Sequence, residues 1–150
     1  YNQAQRPGVF APYMSWYLAP LDISLMQQAA DLLVGEHDFN ALRSVHCQAK
    51  HARRSIHFLK LQRCGELIVM DVQANGFLHH MVRNIVGVLL AVGAGKQSVE
   101  WVGEVLASKD RSQAGVTAPA CGLYFTEIGY ADEFALPVAH SPFFLSPFLV

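Results

Sequence analysis

Apolar residues at Leu78, Met81, Val82, Ile85, Leu89 and Val92 recur at the i, i+3, i+4, i+7 spacing of one helix face. Residues 76–96, GFLHHMVRNIVGVLLAVGAGK, are therefore expected to form the apolar helix around which the chain is organised, ended by Gly93 and Gly95, with Lys96 near the C-terminal dipole. The same spacing at Leu25, Met26, Ala29, Leu32 and Leu33 predicts an earlier helix, N-capped by Asp22 and stopped by Gly35. Asp38 is placed to cap a short helix running to Arg43. Between these helices the period changes. Residues 55–62 alternate as a strand does, with His57, Leu59 and Leu61 on one face and Ile56 and Phe58 on the other. A turn at Cys64 and Gly65 leads into a second strand over residues 66–74, making a hairpin. Ser98 begins a helix through Val102, Val105 and Leu106 to Ser108, and residues 123–130 read as a last strand. The first twenty residues, broken by Pro7, Pro12 and Pro20, read as extended chain entering the domain, with an edge strand around residues 15–18. The sum is an α+β fold, a largely antiparallel sheet with helices packed on one face. It occupies residues 1–136 and is followed by an apolar, Pro-punctuated tail, 137–150, expected to pack on its own domain or a partner.

Composition fits one well-filled core: of 150 residues, 52% are hydrophobic and 15% charged. A net charge of −1 excludes a uniformly basic nucleic-acid-binding protein but not a local patch. Such a patch is present. Residues 39–65 contain no Asp or Glu, yet they hold Arg43, Lys50, Arg53, Arg54, Lys60 and Arg63, interleaved with His46, His51 and His57. Closely spaced cations without carboxylates suit phosphate contacts, and the plainer reading is a solvated surface. Cys47, Cys64 and Cys121 are odd in number and form no CxxC pair, so they imply neither a disulfide framework nor a zinc cage, and a reduced, cytoplasmic setting is expected. The N-terminus lacks a cationic segment leading into an apolar run, and the apolar stretch 85–94 is too short to span a bilayer, so no membrane association is expected. The chain starts at Tyr1 rather than Met, which suggests a piece of something longer.

The chemistry worth weighing begins with Arg83. A guanidinium beside so much apolar surface is costly unless it meets an anion. Its row on a helix, His80, Arg83, Asn84 and Gly87, would line a cleft. The plainer alternative is a salt bridge to Asp71 on the preceding strand. The pair His79 and His80 invites a metal, but adjacent helical residues point about 100° apart and no second ligand motif accompanies them, so no metal is expected. No GxSxG elbow or GxGxxG loop is present.

Two stretches go beyond periodicity. FLHHMVRNIVG (77–87) closely resembles the signature of the TruA family of tRNA pseudouridine synthases, and RSQAGVTAPACGLYF (111–125) resembles that family's later AGxTAPAxGLxL pattern. PLDISLMQQAADLLVGEHDFNALR (20–43) and HCQAK (46–50) extend the likeness over residues 1–136, as the C-terminal half of a family member. The resemblance implies an isomerase that converts uridine to pseudouridine in the anticodon arm of tRNA, with no cofactor and no metal, through an aspartate nucleophile acting on a flipped-out base. It implies that Arg83 pairs with that aspartate and that Leu123 packs at the active-site base. RNA would lie along Arg43, Lys50, Arg53, Arg54 and His80. The implied partners are the tRNA anticodon arm, the N-terminal half of the same protein, and a second copy in a homodimer. The family's RTDAGVHA-type aspartate motif does not occur in these residues. Arg111 to Ala118, RSQAGVTA, imitates it with Gln113 in the Asp position, and an amide is no nucleophile, so these 150 residues alone are expected to be inactive. The alternative is a non-catalytic RNA-binding or dimerisation domain.

Overall fold

The computed structural model describes residues 1–130 and 132–134. In chain order its main elements are α1 (Ile23–Asp31), β1 (Gly35–Asp38), β2 (Arg53–Cys64), β3 (Leu67–Ala74), α2 (Met81–Gly93) and α3 (Glu100–Ser108). The three strands form one antiparallel sheet in the order β1-β2-β3; α1 packs on β2, α2 on α1, and α3 on residues 40–42, an α+β architecture as expected. The expected tail, 137–150, and the domain boundary before it lie outside the described residues.

Asp22 caps α1 as expected: its Oδ1 accepts from the amides of Ser24 and Leu25. The helix buries Met26, Ala29 and Ala30 and is stitched to the sheet by Gln27. The Gln27 amide donates to Leu59 O at 3.0 Å and accepts from Leu61 N–H at 2.8 Å, so one side chain reproduces the bonds of a neighbouring strand. β1 pairs only with residues 53–56 of β2, and Gln27 satisfies part of the edge that β1 is too short to cover. At the other end of α2, Asp22 N–H donates to Gly93 O, and a Cβ on Gly93 would lie 2.6 Å from Met26 Cγ. Glycine there lets the two helices close. The core collects Leu33, Phe39, Leu42, Ile56, Met81, Ile85, Val88, Leu89, Val92, Val102 and Val105, all fully buried. Each such aliphatic side chain contributes about 1.5–3 kcal/mol by leaving water.

Several sequence expectations need correction. β1 was not foreseen, because GEHD carries no apolar alternation; Asp38 ends this strand, and the expected short helix up to Arg43 is a single 3-10 turn, Asn40–Leu42, whose first amide donates to Asp38 Oδ1. The hairpin is as expected, closed by Gly65 (φ +58°) and Glu66, but its alternation is interrupted. Ile56 opposes Ala74 and Phe58 opposes Gln73, so one residue of β2 is bulged out and the face changes. Ile56 and Leu59, assigned to opposite faces, both enter the core. The central helix begins at Met81, not Gly76, since His80 takes the left-handed conformation (φ 63°). Residues 15–18 contribute only an isolated bridge, Asn2 to Tyr17. Residues 123–130 form no strand; they make no ladder with either outer edge of the sheet and lie exposed.

Candidate functional site

The first turn of α2 and the segment after α3 meet face to face. Ala118 N–H donates to Arg83 O at 3.1 Å, and Arg83 Nε donates to Ala118 O at 2.8 Å, so the two residues bond reciprocally. Arg83 is half-buried, and among the described residues nothing accepts from its two Nη groups. Asp71 is exposed on β3 and forms no ion pair with it. The guanidinium is thus oriented through its inner nitrogen while its outer fork stays available to an anion.

What seats Ala118 is Arg111, a residue the sequence reading did not single out for a role. Its Nη1 donates to Ala114 O and Gly115 O, and its Nη2 to Thr117 Oγ1 (2.8 Å) and Asn84 Oδ1 (3.1 Å). Thr117 also donates to Asn84 Oδ1, and Asn84 in turn donates to Leu42 O at 2.8 Å, so no buried side-chain polar atom in this knot lacks a partner. Asn84 and Gly87 were expected to line a cleft with His80 and Arg83. Instead both are buried, because segment 111–118 lies directly on that helix face. A Cβ at Gly87 would stand 1.8 Å from Val116 O, and one at Gly115 would stand 3.2 Å from Gly87 O. Two backbones touch with no side chain between them.

Beyond Ala118 the chain turns at Gly122 (φ +82°), packed against Met14 and Ser15. Ser15 Oγ donates to Cys121 O and Tyr124 Oη donates to Tyr13 O, which anchors the turn. Leu123 follows, 50% exposed, with its amide donating to Ala120 O.

On the other side of Arg83 are two loops, 43–50 and 76–80, joined by Ser44 N–H donating to His79 O. The His79 and His80 rings stack at 3.9 Å instead of diverging as helical neighbours would, because the helix has not yet begun. Burial holds the His80 imidazole below its ordinary value, and the neighbouring His79, Arg83 and His46 add to the effect. The amides of Ala49 and His79 hold the Cys47 thiol below its ordinary value; burial opposes them, and Arg43 and Arg54 reinforce them. Among the described residues, no three His, Cys, Asp or Glu side chains are placed to hold a metal ion.

The basic run is only partly gathered here. Arg43 is half-buried with Nη1 on Ala49 O, Arg54 is braced by the carbonyls of His51 and Arg53, and Lys50 is exposed. Arg53 instead points toward β1, paired with Glu36 at 3.1 Å in an exposed bridge. Arg63 is structural. Its Nη2 donates to Leu21 O and Asn2 Oδ1, and Asn2 ties residues 17–19 to the hairpin tip.

Residues 29–131 match the family profile described as tRNA pseudouridine synthase. The chain belongs to the tRNA pseudouridine synthase family. Among similar proteins, tRNA pseudouridine synthase A of Pseudomonas aeruginosa is 48% identical over 147 residues, covering 97% of this chain and 52% of that protein. The enzyme of the same name from Legionella pneumophila (strain Corby) is 51% identical over 136 residues, covering 91% of this chain and 52% of its own length. That from Methylococcus capsulatus is 49% identical over 135 residues, covering 90% and 50%. The chain therefore spans about half the length of these curated relatives. The pseudouridine synthase match runs from within α1 past Leu123, so it takes in the Arg83–Ala118 pair, the Arg111 knot and the two-loop cluster.

Proposed function

We propose that this chain acts as the C-terminal part of a pseudouridine synthase that isomerises uridine in the anticodon arm of tRNA, and that Arg83 is its contribution to the reaction centre. The observation that carries the reading is Arg83 itself: a half-buried guanidinium, fixed by Ala118 O, whose outer fork has no acceptor among the described residues. Such a fork suits a carboxylate. The nucleophilic aspartate would come from the N-terminal half, and the arginine would keep it ionised and oriented for attack on the flipped-out nucleotide. The aspartate forms a covalent adduct with the nucleotide, the N1–C1′ bond breaks, and the uracil turns and bonds C1′ through C5; the adduct breaks down to free the aspartate, C5 loses its proton and N1 gains one, so the isomerisation needs no cofactor. Leu123, exposed five residues after Ala118, would pack on the base. Arg43, Lys50, Arg54 and His80 would meet the RNA, with Arg53 joining them at the margin. The synthase works as a cytoplasmic homodimer, and the 150 residues by themselves do not turn over.

In the full-length synthase, Arg83→Met is expected to lower single-turnover pseudouridine formation by at least about 10³-fold, the scale seen when a preorganised charge partner is removed. Its tRNA affinity should change only a few-fold, as a filter-binding titration would show. Retention of wild-type turnover, or equal losses in binding and rate, would refute the assignment.

A further inference from the structure

The loops at 43–50 and 76–80 border an open groove of 370 Å³, lined by His46, Cys47, Gln48, Ala49, Phe77, Leu78 and His79. Its walls are fixed. Leu78 is buried in the core, Ser44 N–H holds His79 O at 2.9 Å, Cys47 N–H donates to Ser44 O, and Arg43 props the loop from within through Ala49 O. One wall offers the partly exposed ring of Phe77 and the exposed imidazole of His79, whose other face is already stacked on His80. The 43–50 loop contributes His46, Cys47, Gln48 and Ala49 to the lining, among them the Gln48 amide, which both donates and accepts. None of the lining residues is acidic, and Arg43 and Arg54 both act electrostatically on Cys47.

We propose that this groove seats one unpaired nucleotide of the bound RNA, a neighbour of the reacting uridine, with its base between the Phe77 and His79 wall and the Gln48 edge and its phosphate toward Arg43 and Arg54. The shape and chemistry select this occupant. Aromatic side chains with a few polar groups suit a base, whose ring stacks and whose edge hydrogen-bonds, and nearby cations suit its phosphate. The size falls at the lower end of small-ligand sites, enough for one planar ring. A greasy peptide would gain nothing from the cations. The groove is distinct from the place of the reacting base, because its lining includes neither Arg83 nor Leu123, the residues read as meeting the reaction centre. Only the identity of the RNA rests on the reading of Arg83 given above; the groove and its chemistry do not.

Cys47 is a built-in reporter. The 150-residue chain would be alkylated with iodoacetamide, and each cysteine followed by mass spectrometry. Two RNAs of equal phosphate count would be compared, a hairpin with an unpaired loop and a fully paired duplex. The loop RNA should slow Cys47 alkylation roughly tenfold, as filling a site around a thiol requires. Cys64, at the hairpin tip, should be unaffected, and the duplex should protect Cys47 little. Phe77→Ala, folded by circular dichroism, should need about tenfold more loop RNA for the same protection, the loss expected for one stacked base. Gln48→Ala, at an exposed position, gives a second variant that leaves the core untouched. Equal protection by duplex, no protection or no binding at millimolar RNA, or protection indifferent to both variants would overturn the proposal. Arg83→Met should keep Cys47 protection, so failure of the catalytic reading and failure of the groove are separate results.

Discussion

His80 is where backbone, burial and charge converge on one residue. It holds a left-handed backbone at the start of α2, its ring stacks on His79, and burial with three cationic or titratable neighbours holds its imidazole below the ordinary 6.5. The folded state therefore binds the proton less readily than the unfolded chain. As pH falls through 6.5 the unfolded state takes up the proton first, so stability declines across that window and the loss is complete below the folded value. Above 6.5 the ring is neutral in both states and contributes nothing. An NMR titration of the His80 Cε1–H signal should give a midpoint below 6.5, and His80→Asn, which tolerates the left-handed backbone, should flatten that part of the acid limb. A midpoint at or above 6.5 would contradict the environment described. Arg83 was legible in the sequence because a guanidinium among apolar residues is conspicuous. Arg111 was not, because its value lies in reaching four acceptors, Ala114 O, Gly115 O, Thr117 Oγ1 and the distant Asn84 Oδ1, none of which is acidic.

At the scale of elements, the decisive contact is α2 against segment 111–118. Gly87 lies in the interior of α2, where alanine would raise helix propensity, and tertiary contact reverses that preference. Gly87→Ala should destabilise the protein by about 3 kcal/mol, the upper end of what overpacking costs, because the obstacle is the backbone carbonyl of Val116 at 1.8 Å. Gly103, in the interior of α3, has nothing within 4 Å of where a Cβ would stand. There, Gly103→Ala should stabilise by about 0.5–1 kcal/mol. Urea denaturation of both variants checks the pair, and the opposite signs are the test. The hairpin, the Asp22 cap and α3 were readable because each depends on neighbours within a few residues. The β2 bulge was not. It shifts Ile56 and Leu59 onto one face, and that choice is made by what the core requires across the sheet.

For the whole molecule, charge is distributed less simply than the acid-free run 39–65 suggests. Arg63 is spent on Leu21 O and Asn2, Arg53 is paired with Glu36, and Lys60 lies over the Phe58 ring, leaving Arg43, Lys50 and Arg54 as the cations of that run assigned to the two-loop cluster. Three phosphate contacts predict a slope of about −2 in log affinity against log salt for an unpaired RNA strand. Arg54→Gln should reduce that slope by about 0.7, whereas Arg53→Gln should change it less, because its charge is already met by Glu36. Binding isotherms over a salt series would decide, and a slope unaffected by Arg54 would remove it from the interface.

The sequence by itself determined the α+β class, the hairpin, the two flanking helices and, through FLHHMVRNIVG and RSQAGVTAPACGLYF, the family. These are properties of local spacing and of residue identity, which a linear string carries in full. Only the tertiary structure decided that Asn84 and Gly87 lie beneath segment 111–118, that Arg111 fixes that segment, that Ala118 aims Arg83, and that two loops border a groove beside the stacked histidines. Each of these depends on atoms brought together from distant parts of the chain. A close backbone approach or a shared carbonyl leaves no period in the sequence, since the glycine that permits it and the oxygen that occupies the space are chosen by packing in three dimensions.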